Sequence, residues 1–165
     1  PVCPCGNHGC LQQLISEHAI AASAREQLKS GAPSSLYALA GHHPERLNAY
    51  DVIEAAEQGD SLACRVIDTA ADHLAIAVGN LINLFNPEKI VLGGPVGNRS
   101  TRLATSVRNK VRYRAMAYPL SAVEISTSTL GEQAGPIGAA VLVLQRAHQL
   151  LFQAPIATIQ NGIVS

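Results

Sequence analysis

Neither sign of charge predominates in this sequence: 12 lysines and arginines balance 12 aspartates and glutamates, for a formal net charge of zero. A freestanding nucleic-acid binder carries a basic excess or a basic stripe, and neither is present. Any DNA binding is therefore expected from a segment outside this chain. Long apolar runs are lacking as well. No stretch approaches the roughly 20 continuous apolar residues of a membrane-spanning helix, so no membrane partner is expected. Pro1-Val2-Cys3-Pro4-Cys5 has neither the basic nor the apolar region of a secretory signal. An initiator methionine is missing too, and Pro1 is not expected to be the natural start. There is no internal repeat and no low-complexity tract. Cysteine is sparse, with four residues at positions 3, 5, 10 and 64. Three of them crowd into the first ten positions, which does not suit a secreted disulfide scaffold and favours a cytoplasmic protein.

What is present describes a packed domain. An apolar fraction of 47% with a charged fraction of 15% supports a core of its own at this length of 165 residues. Leu11, Leu14, Ile15, Ala19, Ala22 and Leu28 recur at helical spacing until Gly31-Ala32-Pro33. Residues 31–49 read as a loop with a short helical piece. Asp51 precedes a short helix closed by Gly59. Asp60 or Ser61 then caps a long helix that runs to Asn86-Pro87, apolar on more than one face and so expected to be buried on two sides, against a sheet and a partner element. Lys89-Ile90-Val91-Leu92 reads as a strand ending in the Gly93-Gly94 turn. Residues 99–116 read as a helix, 123–127 as a second strand, and 135–151 as a helix rich in small residues. Strand, helix, strand, helix is the order of an α/β fold with a parallel or mixed sheet and helices packed on it.

Cys3-Pro4-Cys5-Gly6-Asn7-His8-Gly9-Cys10 carries the most chemistry. Zinc takes four ligands in a tetrahedron, commonly thiolates and imidazoles. Cys3, Cys5 and Cys10 can converge if the chain turns sharply, and Gly6 and Gly9 permit such a turn. The fourth ligand is His8, a more distant histidine such as His42 or His43, or a residue preceding Pro1. The competing readings are a reactive thiol cluster and a disulfide with one cysteine to spare. Cys64, on the long helix, reads as a small buried hydrophobe. His18, His73 and His148 read as ordinary helix histidines. Arg102, Arg108, Lys110, Arg112 and Arg114 form a basic run that suits a solvated face, a phosphate or an acidic partner.

The pattern Cys-x-Cys-Gly-x-x-Gly-Cys-Leu resembles the ROK family of bacterial repressors and sugar kinases. So does the run from Asn83-Leu84-Phe85-Asn86-Pro87 to Gly93-Gly94, and Gly135-Pro136-Ile137-Gly138-Ala139-Ala140 looks like the start of the family's final helix. The resemblance covers residues 3–150. It implies the C-terminal lobe of an actin-like, ribonuclease H-like fold, with residues 1–151 as that lobe, residues 1–10 as its zinc loop, and 152–165 as a loosely ordered tail. It also implies a zinc completed by a histidine upstream of Cys3. The family's phosphate-binding glycines, catalytic aspartate and helix-turn-helix lie upstream as well, so this stretch alone is expected not to phosphorylate anything.

Two family positions fall inside the chain. The sugar-contacting glutamate is here Gln12, which can donate and accept but lacks the charge that strengthens carboxylate–hydroxyl bonds. Gly93 and Gly94 stand where family kinases pass the adenosine part of their nucleotide, yet Pro95 follows and removes an amide donor. The resulting expectation is the effector-binding, dimerising portion of a sugar-responsive repressor. Its partners would be a sugar or sugar phosphate, a second copy of itself, and operator DNA through another segment. The other expectation is half of an ATP-dependent sugar kinase, a glucokinase or an N-acetylhexosamine kinase.

Overall fold

The Asp60 carboxylate organises the longest element. It accepts hydrogen bonds from the Leu62 and Ala63 amides, both at 3.0 Å, and so caps helix α5 (Ser61–Phe85), numbered by its place in the chain. It also accepts from the Ser34 and Ser35 hydroxyls at 2.9 and 2.8 Å, tying the preceding loop to the start of the helix. At the far end Asn86 adopts a left-handed conformation, φ 44°, and closes the helix ahead of Pro87. Both boundaries fall where the capping residues predict them.

The computed structural model describes residues 2–152, so the tail expected over 152–165 lies, from residue 153, outside the described residues. Residues up to Gly131 form one compact unit and those from Glu132 a second. The first holds α1 (Gln12–Ile15), α2 (Glu17–Lys29), α3 (Leu36–Leu39), α4 (Ala49–Glu57) and α5. After these come β1 (Lys89–Leu92), α6 (Gly94–Arg99), α7 (Thr101–Val111), α8 (Ala117–Ala122) and β2 (Glu124–Thr127). The second unit holds α9 (Ala134–Phe152), with Gly135 and Pro136 in its first turn.

A polar residue resets the boundaries of three expected helices. Ser16 is extended and its side chain accepts from the Ala19 amide at 3.3 Å, so the helix from Leu11 breaks into α1 and α2. Asn48, not Asp51, caps α4; Asp51 closes a capping box by accepting from the Asn48 amide at 2.9 Å. Buried Ser100 moves the start of the helix expected over 99–116 to Thr101, because its hydroxyl accepts from the Leu103 amide, and α7 ends at Val111. Helix α8 carries no marked periodicity in the sequence and was not expected.

The core centres on α5. Its Leu62, Val66, Ile67, Ala70, Ala71, Ala75, Val78 and Ile82 are buried together with Ile20 and Ala24 of α2, Val52 and Ala55 of α4, and Leu103, Val107 and Val111 of α7. Its closest neighbours are the helices α7, α4 and α2, where a sheet was expected on one side. Gly79 marks the tightest approach, since a Cβ there would stand 3.0 Å from the Cβ of Arg114. The sheet is small. Strands β1 and β2 pair in parallel, with Lys89 opposite Glu124 and Leu92 opposite Thr127, and the Lys89–Glu124 ion pair (3.0 Å) sits at the first rung. The α6–α7–α8 stretch forms the crossover that a parallel pair requires. No described helix is long and apolar enough to cross a membrane.

Candidate functional site

The cysteine loop is a tight reversal of the chain. The Cys3 amide donates to the Asn7 carbonyl at 2.8 Å and the Gly6 amide to the Cys3 carbonyl at 2.9 Å, while Val2 and His8 pair across an antiparallel bridge. Gly6 and Gly9 have φ of 89° and 69°, the left-handed region that a residue with a Cβ avoids. Space is not the reason for glycine there, because nothing lies within 4 Å of a Cβ built at either position. The second of these turns delivers Cys10 to the start of α1, whose Gln13 amide donates to the Cys10 carbonyl at 2.9 Å.

This path brings the Cys3, Cys5 and Cys10 sulfurs within 4.8 Å of one another, with Cys5 Sγ and Cys10 Sγ 3.6 Å apart. Thiolates at about 2.3 Å from a tetrahedral zinc stand roughly 3.8 Å apart, so the cluster has the dimensions of three corners of such a site. Among the described residues no histidine or carboxylate completes the group. His8 is exposed within the hairpin, and His43 is engaged with Glu45 at 3.0 Å. Cys3 is buried and accepts a long contact, 3.9 Å, from the Gln13 side-chain amide. Nothing in the sequence marked Gln13 for this, although it sits one position beyond the residue singled out for sugar contact.

The thiols also polarise one another. The Asn7 backbone amide, and after it the Cys3 and Cys10 thiols, hold Cys5 below the ordinary thiol value. Cys10 is pushed up, first by hydrogen bonding with Cys5 and then with Cys3.

The other expected positions meet at one groove of about 610 Å³. Gln12 and Ile15 of α1, Leu74 and Val78 of α5, and Val91, Gly93 and Gly94 at the end of β1 all line it. Gln12 is exposed and its neighbours are mostly apolar. Gly94 has φ 78°, so the glycine pair makes the turn out of the strand, and Pro95 occupies the first turn of α6. Cys64, expected to be a buried hydrophobe, is half-buried and apart from the cluster, its Sγ 3.4 Å from the Ala56 carbonyl.

The basic run is largely neutralised from within. Arg102 clasps Asp68 through two nitrogens, at 3.2 and 2.5 Å, and Ser106 donates to the same carboxylate at 2.7 Å. Lys110 pairs with Asp72 at 2.7 Å, and Arg108 donates to the Ile125 carbonyl at 2.8 Å. Burial opposes ionisation of Asp68, but the Arg102 and Ser106 hydrogen bonds outweigh it and hold the carboxyl below its usual range. Asp68 and Asp72 are four residues apart on α5, which is the spacing that could have revealed an acidic stripe facing α7.

The ROK family profile matches residues 1–146. The glucokinase of Thermotoga maritima is 38% identical over 146 residues, covering 88% of this chain and 46% of its own. The crystal structure of a ROK family transcriptional regulator, a homolog of the E. coli MLC protein, superposes with a TM-score of 0.74 at 32% identity, over 86% of this chain and 35% of that one. That of a ROK family glucokinase from Streptomyces griseus, in complex with glucose and AMPPNP, superposes with a TM-score of 0.79 at 25% identity, over 87% and 47%. The chain spans less than half the length of each of these proteins.

Proposed function

Starting from a chain that belongs to the ROK family and carries one lobe of its actin-like fold, we propose that it is the effector-binding and dimerising portion of a sugar-responsive transcriptional repressor. The observation that carries this reading is the shared groove of Gln12, Gly93 and Gly94. Its polar lining is Gln12, an uncharged amide suited to hydroxyl groups, with Ser16 and Glu17 beside it. Pro95, in the first turn of α6, offers no N–H where a nucleotide phosphate would need one. Both features fit a site that senses a sugar better than one that transfers a phosphoryl group to it.

In this reading Cys3, Cys5 and Cys10 hold a structural zinc, with the fourth position filled by a histidine preceding Pro1. Bound zinc supplies a cross-link of high bond strength. The chain's own residues do the rest: Gln13 braces Cys3, and Cys10 anchors α1, which carries Gln12 into the groove. Held in this way, Cys10 and Gln13 would fix the wall of the groove proposed to meet the sugar. A second copy of the chain is the proposed dimer partner, and operator DNA is bound through another segment. Leu84 and Phe85, exposed at the end of α5, supply apolar surface of the kind a dimer buries.

The 38% identity to a glucokinase favours a second reading, half of an ATP-dependent sugar kinase. Full-length protein mixed with ATP and a panel of hexoses, glucose first, separates the two. Sugar binding by calorimetry without ADP release is the expected outcome. Turnover would remove the repressor reading, and an absence of binding to any sugar would remove both.

A further inference from the structure

We propose that Cys5 and Cys10 form a redox-closable pair, in which peroxide converts the two thiols into a disulfide while Cys3 remains reduced. The inference rests on position. The two sulfurs are 3.6 Å apart, already in van der Waals contact, on residues that flank the Gly6 and Gly9 turns. A disulfide requires about 2.05 Å, and the glycine turns let the hairpin tighten by that difference. Cys5 is exposed and meets an oxidant first; Cys10 is half-buried behind it. Cys3 is 8% exposed, with the Gln13 amide against its sulfur. Among three clustered thiols, geometry therefore selects one pair.

The chemistry balances with hydrogen peroxide as oxidant. The Cys5 sulfur attacks one peroxide oxygen, the O–O bond breaks, and the departing oxygen leaves as water after taking up a proton. Cys5 is then a sulfenic acid. The Cys10 sulfur attacks it, the S–S bond forms, the S–O bond breaks, and a second water departs with the Cys10 proton. Two thiols have lost two electrons and peroxide has gained them. A disulfide sulfur is no longer a thiolate ligand, so bridge and metal exclude each other. That last consequence depends on the metal reading proposed above; the bridge itself does not.

The test uses the full chain, reduced and stripped of metal, treated with hydrogen peroxide and mapped by differential alkylation and peptide mass. The expected product links Cys5 to Cys10 and leaves Cys3 and Cys64 alkylatable. Cys10→Ser is expected to stop at a Cys5 sulfenic acid that dimedone traps, and Cys3→Ser to retain the bridge. A bridge that includes Cys3, or overoxidation of Cys5 with Cys10 still free, would overturn the proposal. A parallel sample loaded with zinc chloride reads metal release with a chromogenic chelator. Release in step with bridge formation supports the exclusion. If the chain takes up no zinc yet the bridge forms, the metal reading fails and this one stands.

Discussion

Ile20, Leu36, Leu62 and Ile67 in the helical core are at most 1% exposed, whereas residues 4–9 of the cysteine loop all face solvent. Each large side chain buried in the core contributes about 1.5–3 kcal/mol, and more than a dozen act together. The loop has no such reserve. Ordering its backbone costs about 1–2 kcal/mol per residue, while each of its few hydrogen bonds returns about 1 kcal/mol. One region is held by many interchangeable contacts, the other by a handful of specific atoms. A segment of the second kind has most to gain from a cross-link, such as the metal or the sulfur bridge proposed above.

The contrast can be broken most forcefully in the core. Ile67→Ala leaves a cavity in the core and is expected to cost about 2–5 kcal/mol, read as a fall of several degrees in Tm. A change below 1 kcal/mol would mean the core collapses around the loss. Asp60→Ala removes the α5 cap and its ties to Ser34 and Ser35, and an expected loss of about 1–2 kcal/mol would appear in urea unfolding.

Asp60 also gives the comparison a pH axis. Burial opposes its ionisation, but the Ala63 and Ser35 amides and the Ser35 and Ser34 hydroxyls more than offset this and lower its pKa. A carboxyl with a depressed folded pKa contributes fully above its unfolded value, near 4, and loses that contribution as pH falls through the folded one. Asp60→Asn is therefore expected to flatten the acid limb of a stability profile and leave the neutral-to-alkaline region parallel to the parent. Asp68→Asn, which weakens a partly exposed pair with Arg102, is expected to cost about 1 kcal/mol or less. Smallest of all, Cys5→Ser should leave the Tm of metal-free protein unchanged while abolishing the rise in Tm on adding zinc chloride. A large fall in metal-free stability would show the loop to be part of the core after all.

Elements with strong local punctuation were readable in advance. Asp60 and Asn86-Pro87 bound α5, and the Lys89–Leu92 strand lies where its β-branched residues place it. The misreadings have a common origin. Ser16, Asn48 and Ser100 each turn a hydroxyl or amide back onto a nearby backbone N–H, and apolar periodicity does not register that choice. At the site, the convergence of Cys3, Cys5 and Cys10 followed from spacing and two glycines, because short loops leave few alternatives. Gln13 behind Cys3, and the neutralising of the basic run by Asp68 and Asp72, depend on tertiary neighbours. Local sequence does not encode those.

Gly79 shows how a single hydrogen atom can act as a spacer. Because α5 passes so near Arg114 there, the Arg114 carbonyl and the Met116 amide come within reach of Asn83, whose side chain grips both, at 3.1 and 2.8 Å. An alanine at 79 would ask the Arg114 turn to give by a few tenths of an ångström and so strain that two-armed clasp. The identity of one residue in the helix thus bears on the shape of a surface some thirty-five positions downstream.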